Sequence, residues 1–278
     1  MDYIELDCKV IPGGDNIDIL VAYLAGIGFS MFQETDEGVK AYIDVKLFDQ
    51  NELDGIPFIT DNKDVNITYS VAAAEKKNWN EEWESNFKPV VIGKEIYVRA
   101  EYHLADPSFK YELVIQPRMA FGTGHHATTS MMMDAMLKID FKNRTVLDMG
   151  CGTAILAILA EKLGAVTLTG IDNDPNAVEN AVLNCSINGA KNIIVLLGDA
   201  TTSGNETFDI ILANINRNII LEDLPLYKKN LNPGGILMLS GFYLADLEII
   251  TEKANSLNLN LQSHQMLNDW CQANFISN

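Results

Sequence analysis

The chain has 278 residues, 47% of them hydrophobic and 21% charged, with a net charge of −18. That length accommodates two domains, and the composition is that of an ordinary soluble globular protein. The acidity argues against a general nucleic-acid reader, because phosphate contacts need lysine and arginine, and no apolar run reaches the ~18 residues of a membrane span. The opening MDYIELDCKV has no basic stretch followed by an apolar core, so no signal peptide is read and a cytoplasmic protein is expected. Cys8, Cys151, Cys185 and Cys271 show no CxxC spacing, which predicts reduced, packed thiols rather than a zinc or redox site. The charge is uneven: residues 1–90 hold 18 acidic and 7 basic side chains, and residues 91–278 hold 20 and 13. The denser acidity of the first third suits a basic protein partner through complementary charge, although acidic surfaces also simply keep proteins soluble.

From the N-terminus, Tyr3 to Val10 alternates apolar and polar residues and reads as a half-buried strand. Ile17, Leu20, Val21 and Leu24 recur at helical spacing, and Gly26 and Gly28 end that helix. Phe29 to Glu34 and Val39 to Phe48 read as strands paired across the turn TDEG, with a further strand at Val65 to Ala74. This order predicts a small α+β domain of ferredoxin type over residues 1–75. Residues 76–90 are expected to form a helical linker, with Trp79, Trp83 and Phe87 on one face. Residues 91–278 then form the larger domain.

Short strands follow at Pro89 to Ile92, Glu95 to Arg99 and Tyr111 to Ile115. In AFGTGHHATTSMMMDAML, Gly122 and Gly124 make a turn, and a helix runs from Thr129 to Leu137. Thr128 and Thr129 stand at its mouth, where hydroxyls cap a helix or bond a ligand lying there. Met131, Met132 and Met133 read as core filler. His125 and His126 are adjacent, but the remaining histidines, His103 and His264, are remote in sequence. A zinc site needs three or four converging ligands, so no metal is expected.

The most informative stretch is VLDMGCGTAILAILAEKLGAVTLTGIDNDPNAVENA, residues 146–181. It reads as a buried strand at Thr145 to Leu147, a turn of Asp148, Gly150 and Gly152, and a buried helix from Ala154 to Leu163 stopped by Gly164. A second strand, Val166 to Ile171, ends in Asp172. This is half of a doubly wound nucleotide fold, with its ligand at the carboxyl ends of the strands. A glycine turn followed about 20 residues later by an acid fits two cofactor classes, both of which use the acid to hold ribose hydroxyls. Dinucleotide folds want a third glycine against the pyrophosphate, and here that position is Ile155. Asp148 before the turn would repel a pyrophosphate, whereas a cationic sulfonium tolerates it. Further strands at Ile193 to Leu197, Phe208 to Ala213 and Ile236 to Ser240 are each followed by a polar residue, so Asp148, Asp172, Asp199, Asn214 and Ser240 are expected around one cleft. A helix from Leu244 to Leu257 reads as structural, and the tail with Trp270 offers no chemical clue.

AFGTGHHATTS at 120–130, LDMGCGTAILAILAEKLGA at 147–165 and DIILANINRNII at 209–220 resemble the bacterial methyltransferases of large-subunit ribosomal protein eleven, the PrmA type. IDNDPNAVENA at 171–181 and LNPGGILMLSGF at 231–242 match as well, and the similarity covers nearly all of 79–278. The resemblance implies an α/β chain: a small domain that grips the substrate protein, then a Rossmann-like, seven-stranded catalytic domain. It implies methyl transfer from S-adenosyl-L-methionine to amino groups, on lysine side chains and an N-terminal α-amine, of a basic ribosomal protein. It also implies Thr129, Gly150, Asp172 and Asn214 as cofactor-contact positions, with Thr128 and Asp199 beside them, Asp199 touching the adenine amino group and Asn214 orienting the nucleophile or the cofactor. The chain departs from the family's pattern at Gln116-Pro117-Arg118 and at Thr153-Ala154, outside those positions. The alternative is an amino methyltransferase of another protein, glutamine or a nucleobase. Those enzymes carry an aromatic residue in an Asn-Pro-Pro-Tyr motif, and the matching residues here, Asn214-Ile215-Asn216-Arg217, carry none. A binding module that has lost its activity is a further reading, against which the intact Gly150, Asp172 and Asn214 speak.

Overall fold

The computed structural model describes residues 3–35, 37–60, 65–74, 88–116 and 122–278. The chain divides into two compact units, Met1–Glu82 and Trp83–Asn278. The predicted aromatic-faced stretch at Trp79, Trp83 and Phe87 lies outside the described residues. Among the described residues, no helix is long and apolar enough to cross a membrane.

In the first unit, β1 (Tyr3–Ile11), α1 (Asp15–Gly26), β2 (Met31–Thr35), β3 (Gly38–Asp44), the short helices α2 (Gln50–Asp54) and α3 (Pro57–Thr60), and β4 (Asn66–Ala73) follow in order. The strands form one antiparallel sheet in the order β2-β3-β1-β4. This is the expected ferredoxin-like arrangement, a split βαβ unit with β3 inserted between β1 and β2. Period-2 alternation sends Leu6, Cys8 and Val10 of β1 and Val39, Ala41 and Ile43 of β3 to one face. There they pack with Leu20 and Leu24 of α1 and with Leu53 in a core of their own.

The second unit opens with a three-stranded sheet of β5 (Val90–Ile92), β6 (Ile96–Arg99) and β7 (Tyr111–Val114). α4 (Ala127–Met136) leads to β8 (Thr145–Met149), α5 (Ile155–Lys162), β9 (Thr167–Asp172), α6 (Pro175–Ile187) and β10 (Ile193–Leu197). A single 3₁₀ turn (Ala200–Ser203) precedes β11 (Phe208–Asn214), α7 (Arg217–Asn230) and β12 (Leu231–Tyr243). The chain closes with α8 (Leu247–Ser256), β13 (Leu259–Leu267) and β14 (Trp270–Ser277). The central sheet has seven strands in the order β10-β9-β8-β11-β12-β14-β13. Its first five strands are parallel; β14 runs antiparallel beside β12, and β13 pairs antiparallel with β14 at the edge.

Helices on both faces bury the sheet. α5 contributes Ile155, Leu156, Ala157, Ile158, Leu159 and Ala160 to one core, and Ile220, Leu224 and Tyr227 of α7 belong to the other. The three successive methionines of α4 are buried, as read from the sequence. Several boundaries differ from expectation. β8 runs on through Asp148, so that residue is the tip of a strand rather than part of the turn. The helix expected from Leu244 is broken, with a 3₁₀ turn at Leu244–Asp246 before α8. α6, α7, β13 and β14 have no counterpart among the expected elements, although each carries a local mark. Asp174 caps α6 ahead of Pro175. The Asn216 side chain accepts from Ile219 N at the start of α7. Asn268 and Asp269, with φ of 50° and 64°, make the two-residue turn of the β13–β14 hairpin.

Candidate functional site

Strand order reverses between β8 and β11, because β9 and β10 lie on one side of β8 and β12 and β14 on the other. That is the switch point at which open α/β sheets hold ligands. A cavity of about 420 Å³ opens there, at the carboxyl ends of β8, β9, β10 and β11, a size suited to a small organic ligand. Gly150 and Gly152 come from the tip of β8, Asp172 and Asn173 from β9, Gly198 and Asp199 from β10, and Asn214 and Ile215 from β11.

The glycine turn is fastened to the neighbouring strand. Gly150 N and Cys151 N both donate to Ile171 O, at 2.8 and 3.1 Å. Asp172 Oδ2 accepts from Gly152 N at 2.8 Å, and Oδ1 accepts from Asp174 N at 3.0 Å. Each carboxylate oxygen keeps acceptor capacity for a ligand. Gly150 adopts φ +67°, and a Cβ built there would stand 2.3 Å from Ile215 Cγ2. On the other side Gly241, at φ +93°, would set a Cβ 2.1 Å from Ile215 O. The two glycines therefore let the segment after β11 lie against both neighbouring loops, and Ile215 N donates to Ser240 O at 3.1 Å.

A second brace lies behind the turn. Asn184 of α6 is fully buried, accepts from Gln116 N at 2.8 Å and donates to Thr153 O at 3.0 Å. The Thr153 hydroxyl in turn donates to Gly122 O. One amide and one hydroxyl thus tie the glycine turn to Gln116 and to Gly122.

Of the residues singled out from the sequence, Thr128, Gly150, Asp172, Asp199 and Asn214 line this cavity. Thr129 is 1% exposed and stands behind Asn214, accepting from its Nδ2 at 3.2 Å. The Asn214 Oδ1 is buried and has no hydrogen-bond donor among the described residues. The capping reading of the threonines is corrected: His126 is the N-cap of α4, its Nδ1 accepting from Thr128 N, and the threonines occupy the first turn. The imidazole occupies the capping position and leaves the Thr129 hydroxyl to Asn214. Thr128 Oγ1 lies 2.7 Å from His126 Nδ1.

Asp148 and Ser240 are not at the cavity. Asp148 is 1% exposed beneath the turn, and its Oδ2 accepts from Ala157 N at 3.1 Å. The preceding N-cap, Ala154, has no capping side chain, so the carboxylate of β8 satisfies an otherwise orphan amide of α5. Burial pushes the Asp148 carboxyl up to about 7, the Ala157 hydrogen bond opposing and the Asp172 charge adding. Ser240 donates to Cys271 O at 2.8 Å. Asp199 lines the cavity but its Oδ1 also caps the 3₁₀ turn, accepting from Thr201 N at 2.9 Å and Thr201 Oγ1 at 2.6 Å. These hydrogen bonds hold its carboxyl below the ordinary range.

Sequence reasoning missed Trp270, Asp223 and the role of His126. Trp270 starts the last strand, lines the cavity, stacks on Tyr243 at 4.3 Å between ring centroids and meets the His126 ring edge-on at 4.9 Å. The aromatic surface absent from Asn214-Ile215-Asn216-Arg217 is therefore present in the cavity, supplied from the far end of the chain. No short-range pattern marks Trp270, because only the β12–β14 pairing brings it there. The adjacent histidines diverge: His125 Nε2 lies 2.9 Å from Lys88 O, while His126 meets Trp270.

The three charged side chains lining the cavity, Asp172, Asp199 and Asp223, are all acidic, and no lysine or arginine lines it among the described residues. Such a lining disfavours a pyrophosphate and favours a ligand that carries positive charge and several N–H or O–H donors.

The family model for ribosomal protein L11 methyltransferase (PrmA) matches residues 29–277. A ribosomal protein L11 methyltransferase of Phocaeicola vulgatus is 45% identical over 279 aligned residues, covering 99% of both chains. One of Porphyromonas gingivalis is 44% identical, covering 93% of this chain and 90% of its own. A crystal structure of ribosomal protein L11 methylase from Lactobacillus delbrueckii subsp. bulgaricus aligns with a TM-score of 0.65 and 26% identity, covering 69% of this chain and all of that one. The match spans both units and includes the glycine turn, the acidic tip of β9 and the Asn214 loop, and the chain belongs to the ribosomal protein L11 methyltransferase (PrmA) family.

Proposed function

We propose that this protein methylates amino groups of ribosomal protein L11, on lysine side chains and the N-terminal α-amine, with S-adenosyl-L-methionine as methyl donor. The observation that carries the reading is the Asn214 amide: a buried oxygen without a donor among the described residues, on a residue lining an acidic cavity at the strand tips. A buried acceptor left unpaired costs about 1–3 kcal/mol, and an N–H of the cofactor or of the incoming amine relieves it. The acidic lining fits the same cofactor, whose sulfonium and ammonium are positive and whose ribose offers hydroxyl donors.

When bound, S-adenosyl-L-methionine supplies an electrophilic methyl group on a positively charged sulfur. Asp172 holds the ribose hydroxyls, and the turn at Gly150 lets the ligand approach the backbone. Thr128 and Asp199 add further polar contacts. Thr129 fixes the Asn214 amide by accepting one of its two N–H groups. The amine must be neutral to attack, and for a lysine with pKa near 10.4 that costs roughly 4 kcal/mol at pH 7.4. Exclusion of water by Trp270, Ile215 and the walls around them lowers this cost by disfavouring the ammonium. Alignment against the methyl supplies more of the rate, so no dedicated strong base is required.

The more acidic first unit is assigned to capture of the basic ribosomal protein, and a cytoplasmic location fits that substrate. The test is methyl transfer to purified L11, read by mass spectrometry, together with calorimetric binding of the cofactor. A folded protein that binds S-adenosyl-L-methionine but leaves L11 unmodified would remove the substrate assignment. Absence of binding would remove the cofactor.

A further inference from the structure

Asp223 has no part in the reaction as derived so far, yet it faces the same cavity. It lies on α7, four residues after Ile219, and both residues line the cavity wall. α7 packs against the 3₁₀ turn that follows β10: Ala200 shares a core with Leu224 and Tyr227, and Asn230 Nδ2 donates to Gly204 O at 3.3 Å. That packing brings Asp223 to the end of the cavity occupied by Asp199. Tyr227 OH donates to Asp223 Oδ2 at 3.2 Å. On Asp199 the donors from Thr201 fall on Oδ1. The Asp199 side chain also accepts from Thr202 N in a capping box, so Asp223 Oδ1 is the oxygen that no donor reaches among the described residues. Burial raises the Asp223 carboxyl, opposed by the Tyr227 hydrogen bond and reinforced by the charges of Glu222 and Asp199. Two carboxylates converging without a cation repel one another, and a ligand group with two N–H donors relieves that repulsion.

The strand order fixes which part of the ligand reaches them. Across the sheet the tips run Asp199 (β10), Asp172 (β9), Gly150 (β8), Asn214 (β11). With the ribose at Asp172 and the methyl end toward Asn214 and Trp270, the base lies at the Asp199 end. We infer that Asp223 is a specificity-determining residue that, together with Asp199, receives the exocyclic amino group of the cofactor's adenine. The inference rests on the S-adenosyl-L-methionine reading above. An amino group offers one N–H to each carboxylate. A 6-oxo group in its place is an acceptor and confronts two carboxylates, so the 6-oxo base is rejected.

The experiment is calorimetric titration of the full chain with S-adenosyl-L-homocysteine and with S-inosyl-L-homocysteine, its 6-oxo counterpart. Wild-type protein is expected to prefer the amino compound by tenfold or more, the direction set by leaving polar groups unpaired. In Asp223→Asn, which is isosteric and can donate to a 6-oxo group, the preference should collapse to within about threefold. Asp223→Ala, which removes the carboxylate altogether, is the second variant and should weaken S-adenosyl-L-homocysteine binding far more than S-inosyl-L-homocysteine binding. A merely structural role would weaken both ligands equally. An unchanged ratio in both folded variants overturns the assignment of Asp223 and leaves the cofactor reading standing. Failure of wild-type protein to bind S-adenosyl-L-homocysteine overturns the cofactor reading, and this inference with it.

Discussion

Thr129 Oγ1 accepts a hydrogen bond from Asn214 Nδ2 at 3.2 Å, joining the first turn of α4 to the tip of β11 across 85 residues of sequence. The bond uses the Asn214 amide nitrogen and leaves Oδ1 as a buried acceptor with no partner among the described residues. Thr129→Val removes the acceptor while keeping the shape, and strands a buried N–H at a cost of about 1–3 kcal/mol. Turnover should fall about ten- to a hundredfold, with Thr129→Ser near wild type. Asn214→Ala should lower turnover more than it lowers cofactor affinity. Steady-state kinetics beside calorimetry check both, and wild-type turnover in a folded Thr129→Val protein would contradict the role.

Asp172 holds Gly152 N and is assigned the ribose. Asp172→Ala should weaken S-adenosyl-L-methionine binding by about 1–3 kcal/mol, the scale of hydrogen bonds to a charged group. Unchanged affinity in a folded variant would sink the assignment.

A methyl at Gly150 has nowhere to go, since Ile215 Cγ2 would lie 2.3 Å away and Ile215 Cβ 3.8 Å. Gly150→Ala should therefore lower both the thermal midpoint and cofactor affinity. Adding Ile215→Ala removes the close contact and should restore part of the loss. The remaining deficit reflects the left-handed backbone at φ +67°, worth roughly 1–2 kcal/mol. A double variant no better than the single one would show that Ile215 is not the obstacle.

Burial raises Asp148 from the ordinary carboxylate range to about 7. A raised folded-state pKa means that the native protein binds the proton more tightly than the unfolded chain. The associated stability is complete below about pH 4 and lost as pH rises through about 7. Asp148→Asn can still accept from Ala157 N but carries no charge. Urea unfolding at pH 5 and pH 8 should show the variant gaining on wild type by a few kcal/mol between the two. Equal differences at both pH values would contradict the buried-acid account.

The two units have separate cores, one drawn from residues up to Tyr69 and the others from Val90 onward. A fragment beginning at Lys88 should fold, bind S-adenosyl-L-methionine and lose most activity on intact L11, chiefly through substrate affinity. The reason is that tethering supplies effective concentration. Raised salt should weaken substrate binding by the full chain through screening. Full activity of the fragment on whole L11 would remove the capture role.

What the sequence determined by itself was local. The period-2 runs of β1 and β3, the apolar helix after Gly152, and the acid at the end of β9 each follow from side-chain spacing within about 20 residues, where backbone preference and burial pattern suffice. Those same spacings placed Gly150, Asp172, Asp199 and Asn214 at neighbouring strand tips, because consecutive parallel strands point their carboxyl ends the same way. The tertiary structure decided the rest. His126 rather than either threonine caps α4: the Thr128 hydroxyl lies against the His126 ring and the Thr129 hydroxyl is drawn to Asn214, 85 residues away. Asp148 retreats beneath the turn to cap α5, because Ala154 offers no side chain to do so. Trp270 and Asp223 reach the cavity only through the pairing of the last strand with β12 and the packing of α7 on the turn after β10. Contacts of that kind depend on which elements become neighbours in space, and residue spacing along the chain carries no record of them.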